Sequence, residues 1–116
     1  MSSKVVTLTA DNFDQLALAG DRVALVEFGA NWCPPCRALA PSVHALAEER
    51  QDLLVGTVDV DDHPAIAARY GVANIPTVIV FRGGQVSARC VGLVPLGHLR
   101  ELASATGETA TEEAMA

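Results

Sequence analysis

The sequence predicts an α/β domain: a mixed β-sheet with helices on both faces. Three observations lead there. Short apolar runs alternate with helix-period stretches, one run in the first quarter of the chain is apolar almost without a break, and the last two runs lie close enough for a hairpin. The predicted order is βαβαβα followed by ββα. Parallel strands joined by helices, with one antiparallel hairpin, make the sheet mixed.

Each element has a local reason. Val5 to Leu8 reads as a short first strand, and Thr9 as the cap of a helix near Asn12 to Ala19 with Phe13 and Leu16 turned inward. Gly20-Asp21 ends that helix. Val23-Ala24-Leu25-Val26-Glu27-Phe28 has the pattern of a strand covered on both faces, and Glu27 is the anomaly in it. A longer helix is expected from Pro34 or Pro35 to about Glu49, with Leu39, Val43 and Leu46 on one face. Pro41 lies inside it and has no N–H to donate to the Arg37 carbonyl, which predicts a kink or two shorter pieces. Leu53 to Val60 gives the third strand, Asp61-Asp62-His63-Pro64 looks like a helix start, and Gly71 is the stop after Ile66 and Tyr70. Thr77 to Phe81 and Gln85 to Val91 form the hairpin around Arg82-Gly83-Gly84. Pro95 to Ala105 closes the fold as a helix with Leu96, Leu99 and Leu102 inward.

The 116 residues suit one domain, and a hydrophobic fraction of 50% against 19% charged residues is enough for a packed core. The domain is expected over residues 1–105. Residues 106–116 have no large aliphatic or aromatic side chain and carry three glutamates, the composition of a disordered acidic tail. A net charge of −6 argues against nucleic acid or anionic lipid as a partner. No apolar run is long enough to span a membrane or to act as a secretory leader, so the expected location is the cytoplasm.

Three cysteines do not make a disulfide framework, but two of them look chemical. Trp32-Cys33-Pro34-Pro35-Cys36 follows a buried strand and opens a helix. Cysteines at i and i+3 in a first helical turn have Cα atoms about 5 to 6 Å apart, within reach of a disulfide that can open and close without moving the fold. The helix start offers unpaired N–H groups and the positive end of its dipole to a thiolate at Cys33. Pro34 biases Cys33 toward the extended backbone of a cap, and Pro35 has its φ preset for the helix. Cys36, one turn in, is expected to be less accessible and to resolve a mixed disulfide by internal attack. The competing reading is half of a zinc site, for which the only further ligands are Cys90 and one of His44, His63 and His98, none in a second paired spacing. Cys90 itself reads as a small half-buried strand residue, or else as a regulatory thiol.

Taken with Phe28, Ala30, Pro41, Asp59, Tyr70-Gly71, Ile75-Pro76-Thr77, Phe81, Gly84 and Gly92, the Trp32-Cys33-x-Pro35-Cys36 motif resembles the thioredoxin family over about Val5 to Ala105. The resemblance implies a central five-stranded mixed sheet flanked by four helices in three layers. It implies reduction of protein disulfides, with Cys33 attacking, Cys36 resolving and no bound cofactor. The dithiol would be restored from NADPH by a flavin-containing thioredoxin reductase, and the protein would act as a monomer on disulfide-bearing proteins. By position Pro76 is the family's cis-proline, although an ordinary trans turn is the plainer reading of the residues alone. Trp32, Ile75, Val91 and Gly92 would form an apolar rim around Cys33, and with Pro34, Pro35 and Pro76 the substrate-binding surface.

Four positions depart from the family pattern. Glu27 stands where an aspartate is usual, as a buried carboxylate that exchanges the proton of the resolving cysteine. Burial should raise its pKa toward neutrality, whereas an exposed edge-strand glutamate would be unremarkable. Thr57 replaces a lysine and cannot supply a countercharge. Pro34 replaces a glycine and removes an N–H near the Cys33 sulfur. Gly29 replaces an aromatic residue, which predicts a looser, wetter space around Glu27. A more oxidising oxidase or isomerase, and a non-catalytic module that docks partners through the Trp32 rim, are the alternatives to a reductase.

Overall fold

The computed structural model describes residues 4–104 and the backbone of residues 110–113. Strands β1 (Val5–Thr7), β2 (Val23–Gly29), β3 (Leu54–Asp59), β4 (Thr77–Arg82), β5 (Gln85–Val91) and β6 (Ala110–Glu113) form one sheet in the order β1-β3-β2-β4-β5-β6. β1 and β2 run parallel to β3, while β4 is antiparallel to both β2 and β5. The five expected strands are thus all present. β6 lies within 106–116 and pairs parallel with β5, whose outer edge would otherwise present unpaired N–H and C=O groups. For those four residues the structure has a strand where the composition suggested an unstructured tail; 105–109 and 114–116 lie outside the described residues.

Helices α1 (Pro34–Glu49) and α3 (Leu96–Ser104) cover one face of the sheet. α2 (Pro64–Arg69) and a π-helical turn (Asp14–Leu18) cover the other. Alternation along β2 serves both layers. Leu25 joins Leu39, Val43 and Leu46 of α1 with Leu99 and Leu102 of α3, while Val26 and Phe28 join Phe13, Ile66 and Phe81. That is the three-layer architecture the sequence predicts, and it explains the unbroken apolar run of β2.

Three local expectations are corrected, while α2 starts at Pro64 as expected. Thr9 is not the cap of the first helical segment, whose N-cap, Phe13, has no side-chain cap bond; in the turn ahead of it Thr9 Oγ1 accepts from the Asp11 N–H at 3.2 Å and Asn12 Oδ1 accepts from the Thr9 N–H at 2.7 Å. The segment then widens into the π turn, which seals Phe13 and Ala17 and leaves Leu16 half-buried. α1 is a single helix through Pro41, whose ring lies on the exposed side. The run before α2 is a turn held by Asp59, whose Oδ1 accepts from the N–H groups of Asp61 (2.8 Å) and Asp62 (3.2 Å). α3 starts at Leu96, one residue past Pro95.

Candidate active site

The site lies where β2 ends and α1 begins. Cys33 keeps an extended backbone (φ −88°, ψ 109°), as a residue preceding proline should, and caps α1. Pro34 and Pro35 take the first two helical positions, so the first N–H that the turn can offer Cys33 is that of Cys36, which donates to Cys33 Sγ at 3.3 Å. The two cysteines are joined in a disulfide, with Cα atoms 5.2 Å apart as the spacing predicts. Arg37 ties the preceding loop to the helix, donating through Nη1 to the Asn31 carbonyl at 2.8 Å.

With the disulfide closed, accessibility does not rank the cysteines as expected, since Cys33 is 2% exposed and Cys36 7%. Ile75 and Val60 pack against the pair, together with Ala30. Val60 was not legible as part of this cluster. It is the last apolar residue of the β3 run and reads as core.

Of the expected rim residues, Ile75 packs against the pair. The Ile75–Pro76 peptide is cis, and the Ile75 carbonyl oxygen lies 4.0 Å from Cys33 Sγ. The Gly92 N–H donates to the Pro76 carbonyl at 2.8 Å, and Val91 stands opposite Thr77 in the hairpin, so the end of β5 is fixed beside the proline. Pro76 is buried; Ile75, Val91 and Gly92 are half-buried; Pro34 and Pro35 are exposed. Trp32 is 64% exposed, and its indole N–H donates to Asp61 Oδ2 at 2.7 Å. Sequence reading placed Asp61 at a helix start and missed this anchor. Leu93, 49% exposed, is a further large apolar side chain on the loop after β5, and no periodicity in the sequence marked it.

Glu27 is buried at 8% exposure in β2, between Thr57 of β3 and Val78 of β4. The edge-strand alternative therefore falls. Burial without a compensating cation raises its pKa from 4.5 to about 7, and Oε2 has no hydrogen-bond partner among the described residues. Gly29, two residues on and on the same face, sets where the carboxylate goes. A Cβ built there would collide with Glu27 Oε2 and stand 3.1 Å from Cys36 Sγ, so carboxylate and sulfur crowd one point above the glycine.

Cys90 lies far from this chemistry in role. It is fully buried on β5 in the core beneath α1 and α3, deeper than the half-buried position expected. Among the described residues no group of three or more His, Cys, Asp or Glu side chains could hold a metal ion, so Cys90 and the histidines do not complete a zinc site around Cys33 and Cys36. No helix among them is long and apolar enough to cross a membrane.

A sequence model of the family described as Thioredoxin matches residues 4–105. The chain belongs to the thioredoxin family. It is 43% identical over 89 residues to a thioredoxin of Chlamydia caviae, covering 77% of this chain and 85% of that one. It is 39% identical over 99 residues to a thioredoxin of Streptomyces clavuligerus (85% and 92%) and 41% identical over 95 residues to one of Alicyclobacillus acidocaldarius (81% and 90%). This thioredoxin-family protein is a thiol-disulfide oxidoreductase whose redox centre is the Cys33–Cys36 pair. Its substrates are disulfides, and a thioredoxin requires no bound cofactor to exchange them.

Proposed function

We propose that the protein works as a reductase of protein disulfides in a reducing cytoplasm. The observation that carries this is the Cys33–Cys36 disulfide capping α1 beside a buried carboxylate. The Cys33 thiolate attacks one sulfur of a substrate disulfide, forming a mixed disulfide and releasing the other sulfur as a thiolate. Cys36 then gives its proton to Glu27, its thiolate attacks Cys33 Sγ, and the second substrate sulfur leaves. Two electrons pass to the substrate, and the protein ends as the disulfide. Trp32, Pro34, Pro35, Ile75, Pro76, Val91 and Gly92 form the surface on which an extended substrate segment is held. A flavin-containing thioredoxin reductase drawing on NADPH regenerates the dithiol, as family membership supports, and the protein acts as a monomer. The cytoplasmic setting suits a dithiol that must be returned to the reduced state between turnovers.

Equilibration in graded dithiothreitol and glutathione buffers, followed by fluorescence of Trp32, the only tryptophan, tests the direction of exchange. A single two-electron transition at strongly reducing poise is expected. A transition within the glutathione range would reassign the protein as an oxidase or isomerase, and no two-electron transition would leave a docking module. In the same assay Cys33→Ser should lose turnover, whereas Cys36→Ser should accumulate the mixed disulfide as a species isolable by non-reducing electrophoresis.

A further inference from the structure

β6 lies beyond residues 4–105, the part of the chain that the family shares, so its contribution belongs to this chain. Three of its four residues, Thr111, Glu112 and Glu113, are polar, which leaves little apolar surface to bury. Backbone pairing with β5 is what sets its place.

The register gives that place a direction. Ala88 stands opposite Ala110, Arg89 opposite Thr111, Cys90 opposite Glu112 and Val91 opposite Glu113. β6 therefore runs toward the same end of the sheet as β5, where Val91 and Gly92 adjoin the cis-proline. Its neutral residues come first and its two glutamates last, so both glutamates stand at the end nearer the redox site. From Cys90 to Gly97, the stretch that carries Val91, Gly92 and the exposed Leu93, the chain has no charged residue. Near Trp32 charges of both signs are met, Asp61 on the indole and Arg37 on the Asn31 carbonyl, whereas the Val91 side takes its sign from β6.

Adjacent strands lie about 4.8 Å apart, well inside the Debye length of about 8 Å at physiological salt, so a charge on β6 is felt by a segment lying on Val91 and Gly92. A free acidic tail would spread its charge over a large volume, while a paired strand fixes it beside one surface. We propose that β6 is a specificity element: it anchors Glu112 and Glu113 at the edge of the substrate surface, so that disulfides flanked by lysine or arginine are reduced in preference to those flanked by acidic residues. The inference rests on the reading of Val91 and Gly92 as part of the surface that holds disulfide substrates.

Two synthetic peptides with the same internal disulfide, one flanked by lysines and the other by glutamates, test it. The reduced full chain is mixed with each, and its oxidation is followed by Trp32 fluorescence in a single turnover. The lysine peptide should react faster, with a lead that shrinks as salt is added. Glu112→Gln combined with Glu113→Gln should lower the ratio of the two rates by about two- to fivefold. Ala110→Pro combined with Thr111→Pro should lower it similarly, although both glutamates and the net charge are kept. Successive N–H groups of a strand point to opposite sides, so one of the two prolines removes a donor to β5. Equal rates for the two peptides with the unaltered chain, or an unchanged ratio in the glutamine variant, would overturn the proposal. A merely structural role would slow both peptides together and leave the ratio unchanged. A ratio that falls in the glutamine variant but not in the proline variant would also overturn it, since the charge would then act without the strand. Failure of the unaltered chain to reduce either peptide would instead overturn the reading of the protein as a reductase.

Discussion

Glu27 makes folding stability depend on pH in a predictable direction. Its pKa is 4.5 in the unfolded chain and about 7 in the fold, so the native state binds the proton more tightly. The stabilisation from that proton is fully present below about pH 4.5 and is lost as pH rises through 7, a change on the order of 3 kcal/mol. Urea titrations of the oxidised protein should therefore show a midpoint that falls between about pH 5 and 8, with the fall abolished in Glu27→Gln. An unchanged slope in that variant would place the titration elsewhere. The anomaly itself was legible, because a single carboxylate in a run of Val, Ala, Leu and Phe has few ways to be exposed. The detail above Gly29 was only half legible. A missing side chain can be read from sequence, but that a glutamate on the same strand and a cysteine on the facing helix share the vacated space depends on packing in three dimensions.

Elements whose ends are chemically enforced agree with the sequence, and those whose ends are settled by packing differ from it. β5 spans Gln85–Val91 as predicted because the tight turn before it needs the positive φ of Gly83 (57°) and Gly84 (82°), which pins the register of the hairpin. α1 begins at Pro34 as the two prolines require. The π turn had no such signature: Phe13 and Ala17, the residues it buries, are four apart and would share one face of an α-helix as well. The two turn glycines also differ from each other. A Cβ at Gly84 would lie 2.9 Å from the Leu18 carbonyl oxygen, whereas nothing is within 4 Å at Gly83. Gly84→Ala should therefore cost about 1 to 3 kcal/mol through backbone strain and collision. Gly83→Asn, at a conformation asparagine tolerates, should cost less than about 1 kcal/mol. Thermal unfolding of the two variants side by side measures the difference.

The sheet divides the molecule into two cores. On one side Phe13, Tyr70 and Phe81 form an aromatic cluster with ring centroids 5.0 to 5.8 Å apart. The guanidinium of Arg69 stacks over Phe13 and Tyr70 and is bridged to Asp14 at 2.8 Å. On the other side α1 and α3 pack together and are linked by Arg100 and Glu49 at 2.6 Å. Glu27 belongs to the second side, since it alternates with Val26 and Phe28 along β2. Phe13→Leu should thus lower stability by about 1 to 2 kcal/mol while leaving the reduction midpoint unchanged, which denaturation and redox titration of one preparation would show together. The order of layers was legible because the apolar runs keep their strand and helix periods. That two cores meet so little across a single backbone layer was not, since the same periods fit one continuous core. The sheet separates Glu27 from the aromatic core without insulating the site from it, because Val60 packs against both that core and the Cys33–Cys36 pair: a substitution next to Val60 is judged at once by folding and by the exchange of electrons.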